Sequence, residues 1–321
     1  MTRKLFSVLL CAFALLLLMG AGTAPEQTVT ILAEEESAIL PEDTALITDK
    51  EMDEAMGQAD PAVTDANPAE EAKEDEFVLL IDEEQAPEEV GANVQDGVTY
   101  VTLAELAKVL DESAEILWDA EVQSVTITTP TLTLTARVGQ LYLEANGRYF
   151  YLPEGVQLKQ DRVTVPLWAA AKAFDASVAW DAETKTVSVT RGSGAALSGD
   201  AFYEEESLFW LSRIIYAESG NQSLEGQMAV GNVVLNRVED PIFPDTIEGV
   251  LAQKNQFSPY KGGKLANRNP NESSVIAAKL VLDGGVVEET EGALYFDSRA
   301  SSWASRNKEC VAVIGCHKFY R

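Results

Sequence analysis

The chain has 321 residues, enough for about two domains, and carries 52 acidic against 24 basic side chains, a net charge of −28. Residues 25–95 hold 22 Asp or Glu and two Lys, so 20 of the 28 excess charges lie in that stretch. No segment offers the basic stripe that a phosphate backbone requires, which excludes nucleic acid as a partner.

At the N-terminus Arg3 and Lys4 precede the apolar run Leu5 to Gly20, and the small residues of "AGTA" follow. This order reads as a signal peptide over 1–24, cut after Ala21, Gly22 or Ala24. The alternative is an uncleaved anchor, since the run is near the lower limit for spanning a bilayer. Either way the protein is expected in the cell envelope or secreted. Residues 25–75 are rich in Glu, Asp, Ala, Pro and Thr. They bury too little apolar surface to offset chain entropy and are predicted to form a disordered acidic linker.

Order is predicted to begin at "EFVLLID", Glu76 to Asp82. From there to Arg191 the chain repeats itself: Gly97–Thr128 and Asp161–Thr190 each read as strand, helix, then a strand pair around the tetrapeptide "WDAE". Pro166 suits a helix start, "KTVSVT" alternates as a half-buried strand does, and Asn146-Gly147 signals a hairpin. Trp118 and Trp180 are expected to pack at the strand–helix junction, with a sugar-stacking platform as the alternative. The repeat, with "VTLA" at Val101 and "VPLW" at Val165, resembles the copper amine oxidase-like N-terminal domain, or stalk domain. The Arg usual in that signature is missing from both copies. Residues 76–191 contain no His and no Cys, so no copper is expected despite the family name.

A small-residue linker, 192–203, leads into a mostly helical region, 204–321. Helices are expected from Glu205 to Ala217 or Glu218, after a Ser223 cap, after Thr246, and over "SVIAAKLVLD". The end reads as β-like, "GALYF" followed by a hairpin turning near Ile314-Gly315. On the first helix Leu211, Ile214, Ile215 and Glu218 share one face. A carboxylate thus closes an apolar stripe at the negative end of a helix. Desolvation and that dipole both favour its protonated form, which a general acid for glycosidic cleavage requires. The bland reading is a solvated Glu at a frayed helix end.

The series "IIYAESGNQSLEGQMAVGNVVLNRV", "QFSPY", "GALYF", "WA" and "IGCHKFY" resembles the SleB-type cell wall hydrolase family. The resemblance implies a lysozyme-like catalytic core acting on peptidoglycan, with Glu218 as the catalytic Glu. Many members continue their "AE" with Ala-Arg-Gly-Glu; this chain has Ser219-Gly220-Asn221-Gln222 and lacks that second carboxylate. A lytic transglycosylase needs only one carboxyl, whereas a hydrolytic muramidase normally needs two. Glu225, the nearest other candidate, is expected to complement a helix dipole. Gln256, Phe257, Tyr295 and Trp303 carry over as candidates for binding the glycan, with core packing as the alternative for each. His317 is expected to make a structural hydrogen bond. Cys310, Cys316 and His317 do not match a standard zinc spacing, and no metal or other cofactor is expected. A Cys310–Cys316 disulfide is left open.

The fold class expected is therefore α+β: a lysozyme-like, mostly helical catalytic domain with a small β-hairpin region, preceded by a repeated α+β stalk and the acidic linker. Peptidoglycan glycan strands are the expected partner. A cell-surface binding protein whose hydrolase domain has decayed is the competing function.

Overall fold

The computed structural model describes residues 77–321, apart from Asn255. The expected signal peptide and acidic linker lie outside the described residues. No helix among the described residues is long and apolar enough to cross a membrane.

Strands β1 (Val78–Ile81), β2 (Glu84–Gln85), β3 (Asn93–Gln95) and β4 (Val98–Thr102) lead into helix α1 (Leu103–Leu110) and the hairpin β5 (Glu115–Asp119) and β6 (Ser124–Thr128). Strands β7 (Thr133–Arg137), β8 (Tyr142–Ala145), β9 (Arg148–Tyr151) and β10 (Gln157–Lys159) follow. The order then recurs as β11 (Arg162–Pro166), helix α2 (Leu167–Ala173), β12 (Ser177–Asp181) and β13 (Thr186–Thr190). Three sheets result, ordered β12-β13-β1-β2, β10-β11-β4-β3 and β5-β6-β7-β8-β9. The β1–β13 pair is parallel, which joins the two ends of this part.

Each "WDAE" turn is closed by its Asp. Asp119 Oδ1 accepts from the N–H groups of Glu121 and Val122, and Asp181 Oδ1 from those of Glu183 and Thr184. The β8–β9 turn has Asn146 and Gly147 both at positive φ, as a two-residue hairpin loop demands. Trp118 and Trp180, expected to pack at the strand–helix junction, remain partly exposed. Trp118 is 43% and Trp180 57% exposed. The reason is that β5 and β12 are edge strands, with a neighbour on one side only.

The C-terminal part contains α3 (Gly199–Phe202), α4 (Glu205–Ser219), α5 (Leu224–Glu239), α6 (Ile247–Ala252) and α7 (Glu272–Leu282). Strand β14 (Tyr295–Asp297), helix α8 (Trp303–Asn307), and strands β15 (Cys310–Ile314) and β16 (His317–Tyr320) complete it, with sheet order β14-β16-β15. Helices start where a side chain satisfies free N–H groups. Ser223 Oγ accepts from Gly226, Thr246 Oγ1 from Gly249, and Asn271 Oδ1 from Ser274. The first helix runs on through Ser219, one residue past Glu218, because the Gly220 backbone stays helical. Helices α4, α5 and α7 pack around Leu211, Ile214, Ile215, Val230, Val233, Val234 and Val281, all buried. They approach closely at Gly231, where a Cβ would lie 3.0 Å from Ile215 Cδ1 and 3.3 Å from Val281 Cγ2.

The stretch expected as a small-residue linker is packed. Ala196 and Tyr203 are buried, and Gly199 lies so near Gly147 that a Cβ would stand 2.3 Å from its carbonyl oxygen. Across this junction Tyr203 Oη accepts from Tyr149 N–H at 2.9 Å, and Lys279 Nζ donates to Gly147 O at 3.2 Å. Asp283, just past α7, has a side chain only 2% exposed and is paired with both Arg148 and Lys172. Tyr151 joins the hydrophobic core of the C-terminal part.

Candidate active site

Helix α4 is capped by Glu204, whose carboxylate accepts from the N–H groups of Glu206 (3.0 Å) and Ser207 (2.5 Å). Its apolar face is anchored by Leu211, Ile214 and Ile215, each fully buried. That register brings Glu218 to the wall of a cavity of about 660 Å³. Glu218 is half-buried, and no protein donor among the described residues hydrogen-bonds its carboxyl. Burial raises its pKa above the usual carboxylate range, opposed in part by the charge of Arg268. The carboxyl is therefore biased toward the protonated form, with its O–H free for a ligand.

Helix α5 contributes to the same cavity by the same device. Val230, Val233 and Val234 are fully buried, and Arg237, one turn further on, is 4% exposed and lines the cavity wall. Arg237 Nε donates to Leu294 O at 2.7 Å and Nη1 to Gln256 Oε1 at 3.2 Å. The rings of Phe243, Phe257 and Tyr295 lie 5.1, 5.3 and 5.4 Å from its Cζ. No carboxylate among the described residues pairs with it. Burial lowers its pKa to about 10, the phenol of Tyr295 working the other way, and it stays charged at neutral pH.

The sequence-predicted residues converge here, in different roles. Glu218, Gln256, Phe257, Tyr295 and Trp303 all line the cavity. Gln256 is exposed to it. Phe257 is 4% exposed and part of the core, its ring 6.3 Å from Phe296, so it forms wall rather than a reaching side chain. Tyr295 and Trp303 lie with ring centroids 5.5 Å apart and planes tilted by 59°. Trp303 is 56% exposed and stands at the start of α8, fixed by a capping box between Ser302 and Ser305. This pair offers flat apolar surface at the cavity mouth. His317 is 5% exposed, edge-on to Phe296 at 5.4 Å, with Cys316 Sγ 3.8 Å from its Nδ1. Burial lowers its pKa, opposed by Asp297, so its ring is neutral near pH 7. Cys310 and Cys316 are both free and exposed.

The "SGNQ" turn after Glu218 is tied on three sides. Asn271 Nδ2 donates to Gly220 O, Gln227 Nε2 donates to Gln222 O, and Gln222 Oε1 accepts from Cys316 N–H at 3.2 Å. Glu225 is not among the cavity-lining residues; its Oε1 is 3.5 Å from Tyr151 Oη. The other carboxylate on the cavity wall is Asp297, to which Ser302 Oγ donates.

Residues 221–320, which include Arg237, Gln256, Tyr295, Trp303 and His317, match the Cell Wall Hydrolase family. This stretch is a cell wall hydrolase domain. The match begins at Asn221, so Glu218 lies just outside it. Two curated relatives of the hydrolase domain are named spore cortex-lytic enzyme. That of Bacillus cereus is 32% identical over 121 residues, 36% of this chain and 45% of that protein. That of Oceanobacillus iheyensis is 28% identical over 120 residues, 36% of this chain and 42% of that protein. The chain spans less than half the length of these relatives. Among solved structures, the catalytic domain of the germination-specific lytic transglycosylase SleB from Bacillus anthracis is 30% identical. It covers 37% of this chain and 97% of that one, with a TM-score of 0.34.

Upstream, residues 80–189 match the copper amine oxidase N-terminal domain. Their chemistry does not fit copper, because the stretch has no His, Cys or Met to supply the ligands that ion prefers.

Among the polar residues of the hydrolase domain's cavity, Arg237, Asp297 and Ser302 escape a reading of the sequence. Arg237 was detectable, since Val230, Val233, Val234 and Arg237 repeat the spacing of Leu211, Ile214, Ile215 and Glu218. Asp297 ends the three-residue strand β14 and Ser302 caps α8, and neither belongs to a stretch long enough for periodicity to mark it.

Proposed function

We propose that this protein is an exported enzyme that cleaves peptidoglycan glycan strands at the MurNAc–GlcNAc bond by lytic transglycosylation, with Glu218 as acid and then base. The observation that carries this reading is a half-buried carboxyl, held toward protonation and free of protein donors, on the cavity wall beside the cell wall hydrolase match. In the first step the Glu218 proton passes to the glycosidic oxygen, the C1–O bond breaks, and the GlcNAc side leaves as an alcohol. In the second, the muramic C6 hydroxyl bonds to C1 and its proton returns to Glu218, closing a 1,6-anhydro ring. Water takes no part, and one carboxyl is enough. Tyr295 and Trp303 support the sugar faces. Catalysis by one general acid–base group contributes about 10²–10⁴-fold, so Glu218→Gln should lose activity by that order while keeping the fold.

A hydrolytic muramidase is the second reading, favoured by Asp297 on the same wall, where a carboxylate could activate water. Mass spectrometry of the muropeptides separates the two. Anhydro-muramyl ends that persist in Asp297→Asn support transglycosylation; ordinary reducing ends that vanish in that variant support hydrolysis. Sedimentation with peptidoglycan and no soluble product would instead support a decayed binding protein.

A further inference from the structure

Gln256 presents an amide whose polarity is forced. Arg237 Nη1 can only donate, so the amide oxygen of Gln256 must face it, at 3.2 Å. The amide nitrogen is then the end left over. It donates to no protein atom among the described residues, and Gln256 is exposed on the cavity wall. Arg237 cannot swing away to release the amide. It is 4% exposed, its Nε is bonded to Leu294 O at 2.7 Å, and three aromatic rings surround it. A rigid, buried cation therefore fixes an outward-facing pair of N–H donors in a cavity that also holds the exposed ring pair Tyr295–Trp303.

We propose that Gln256 Nε2 donates to the acetamido oxygen of an N-acetylated sugar, and that Arg237 is the positioning residue that turns it there. This deepens, and rests on, the reading of the cavity as a glycan site. A neutral acyl oxygen is the fitting acceptor. An amide N–H rejects an ammonium group in that place, so the site selects acetylated over de-N-acetylated glycan.

The test measures binding of tri-N-acetylchitotriose and of its fully de-N-acetylated counterpart to the full chain. It uses Glu218→Gln to prevent turnover, alone and combined with Gln256→Glu. The carboxylate of Gln256→Glu keeps an acceptor for Arg237 but has no N–H and attracts ammonium. The parent should prefer the acetylated trisaccharide by about 10-fold, the scale of one net hydrogen bond, and Gln256→Glu should abolish or reverse that preference. Arg237→Met, which frees the amide to rotate, should lower the preference toward unity, an effect that loss of packing alone does not produce. An unchanged preference in Gln256→Glu overturns the proposal and leaves the glycan reading standing. If neither trisaccharide binds the parent, the glycan reading itself fails and takes the proposal with it.

Discussion

Asn271 joins the turn that follows Glu218 to the start of helix α7. Its Nδ2 donates to Gly220 O at 3.0 Å while its Oδ1 accepts from Ser274 N–H at 2.9 Å. One side chain thus caps a helix and fixes the backbone two residues beyond the proposed acid. Asn271→Ala should cost about 2 kcal/mol, roughly one for the cap and one for the second bond. Ser223→Ala removes a cap alone and should cost about 1 kcal/mol. Urea unfolding of the two variants measures the difference, and equal costs would mean that the Gly220 bond contributes nothing.

The environment of Glu218 sets a pH dependence. Burial raises its pKa and Arg268 lowers it. Transglycosylation needs the protonated carboxyl, so kcat/KM should hold above the ordinary carboxylate range and fall as pH passes the raised value. Arg268→Ala removes the opposing charge and should move that alkaline limb to higher pH. The stability term has a matching sign. The folded pKa lies above the unfolded one, so the cost of burying Glu218 is absent at low pH and appears as pH rises through the folded value. Glu218→Gln should remove that loss, which pH-resolved thermal melts can read.

The resemblance to the SleB-type family leads to an expected Glu where this chain has Gln222, whose Oε1 accepts from Cys316 N–H. A carboxylate oxygen accepts equally well. Gln222→Glu should therefore leave muropeptide release within about twofold, whereas Gln222→Ala should lose about 1 kcal/mol of stability. A large gain in rate for Gln222→Glu would show instead that the missing carboxylate had limited the enzyme.

Asp283 is the buried partner of two cations, Arg148 and Lys172, which come from the other part of the chain. Removing it leaves both charges without their counterion. Asp283→Ala should destabilise by about 3 kcal/mol, the lower end for breaking a buried pair, because Lys172 is 37% exposed and can turn to water. Differential scanning calorimetry should also show the two parts of the chain unfolding further apart in temperature than in the parent.

Much of this was legible in the sequence wherever a period carries the information. The stripe Leu211, Ile214, Ile215, Glu218 marks a charge at a helix face, and Val230, Val233, Val234, Arg237 marks a second one in the same way. The strands around "WDAE" and the turn at Asn146-Gly147 are likewise local signals. The exposure of Trp118 and Trp180 was not legible, because a strand pattern does not say which strand lies at a sheet's edge. The close packing of segment 192–203 was not legible, because small residues serve close packing as well as flexibility; Gly199 against Gly147 is a case of the former. The bond between Arg237 and Gln256 joins residues far apart in the chain, and no spacing announces it.

The pairing of Asp283 with Arg148 and Lys172 bears on how the hydrolase part can be reused. It is not a cassette to be cut at residue 199 and transplanted onto another protein. The graft would carry a sequestered anion into a context without its counterions, along with an apolar scar where Tyr151 had been. A working transplant would take strand β9 and helix α2 with it, or replace Asp283 by a neutral residue at the moment of cutting.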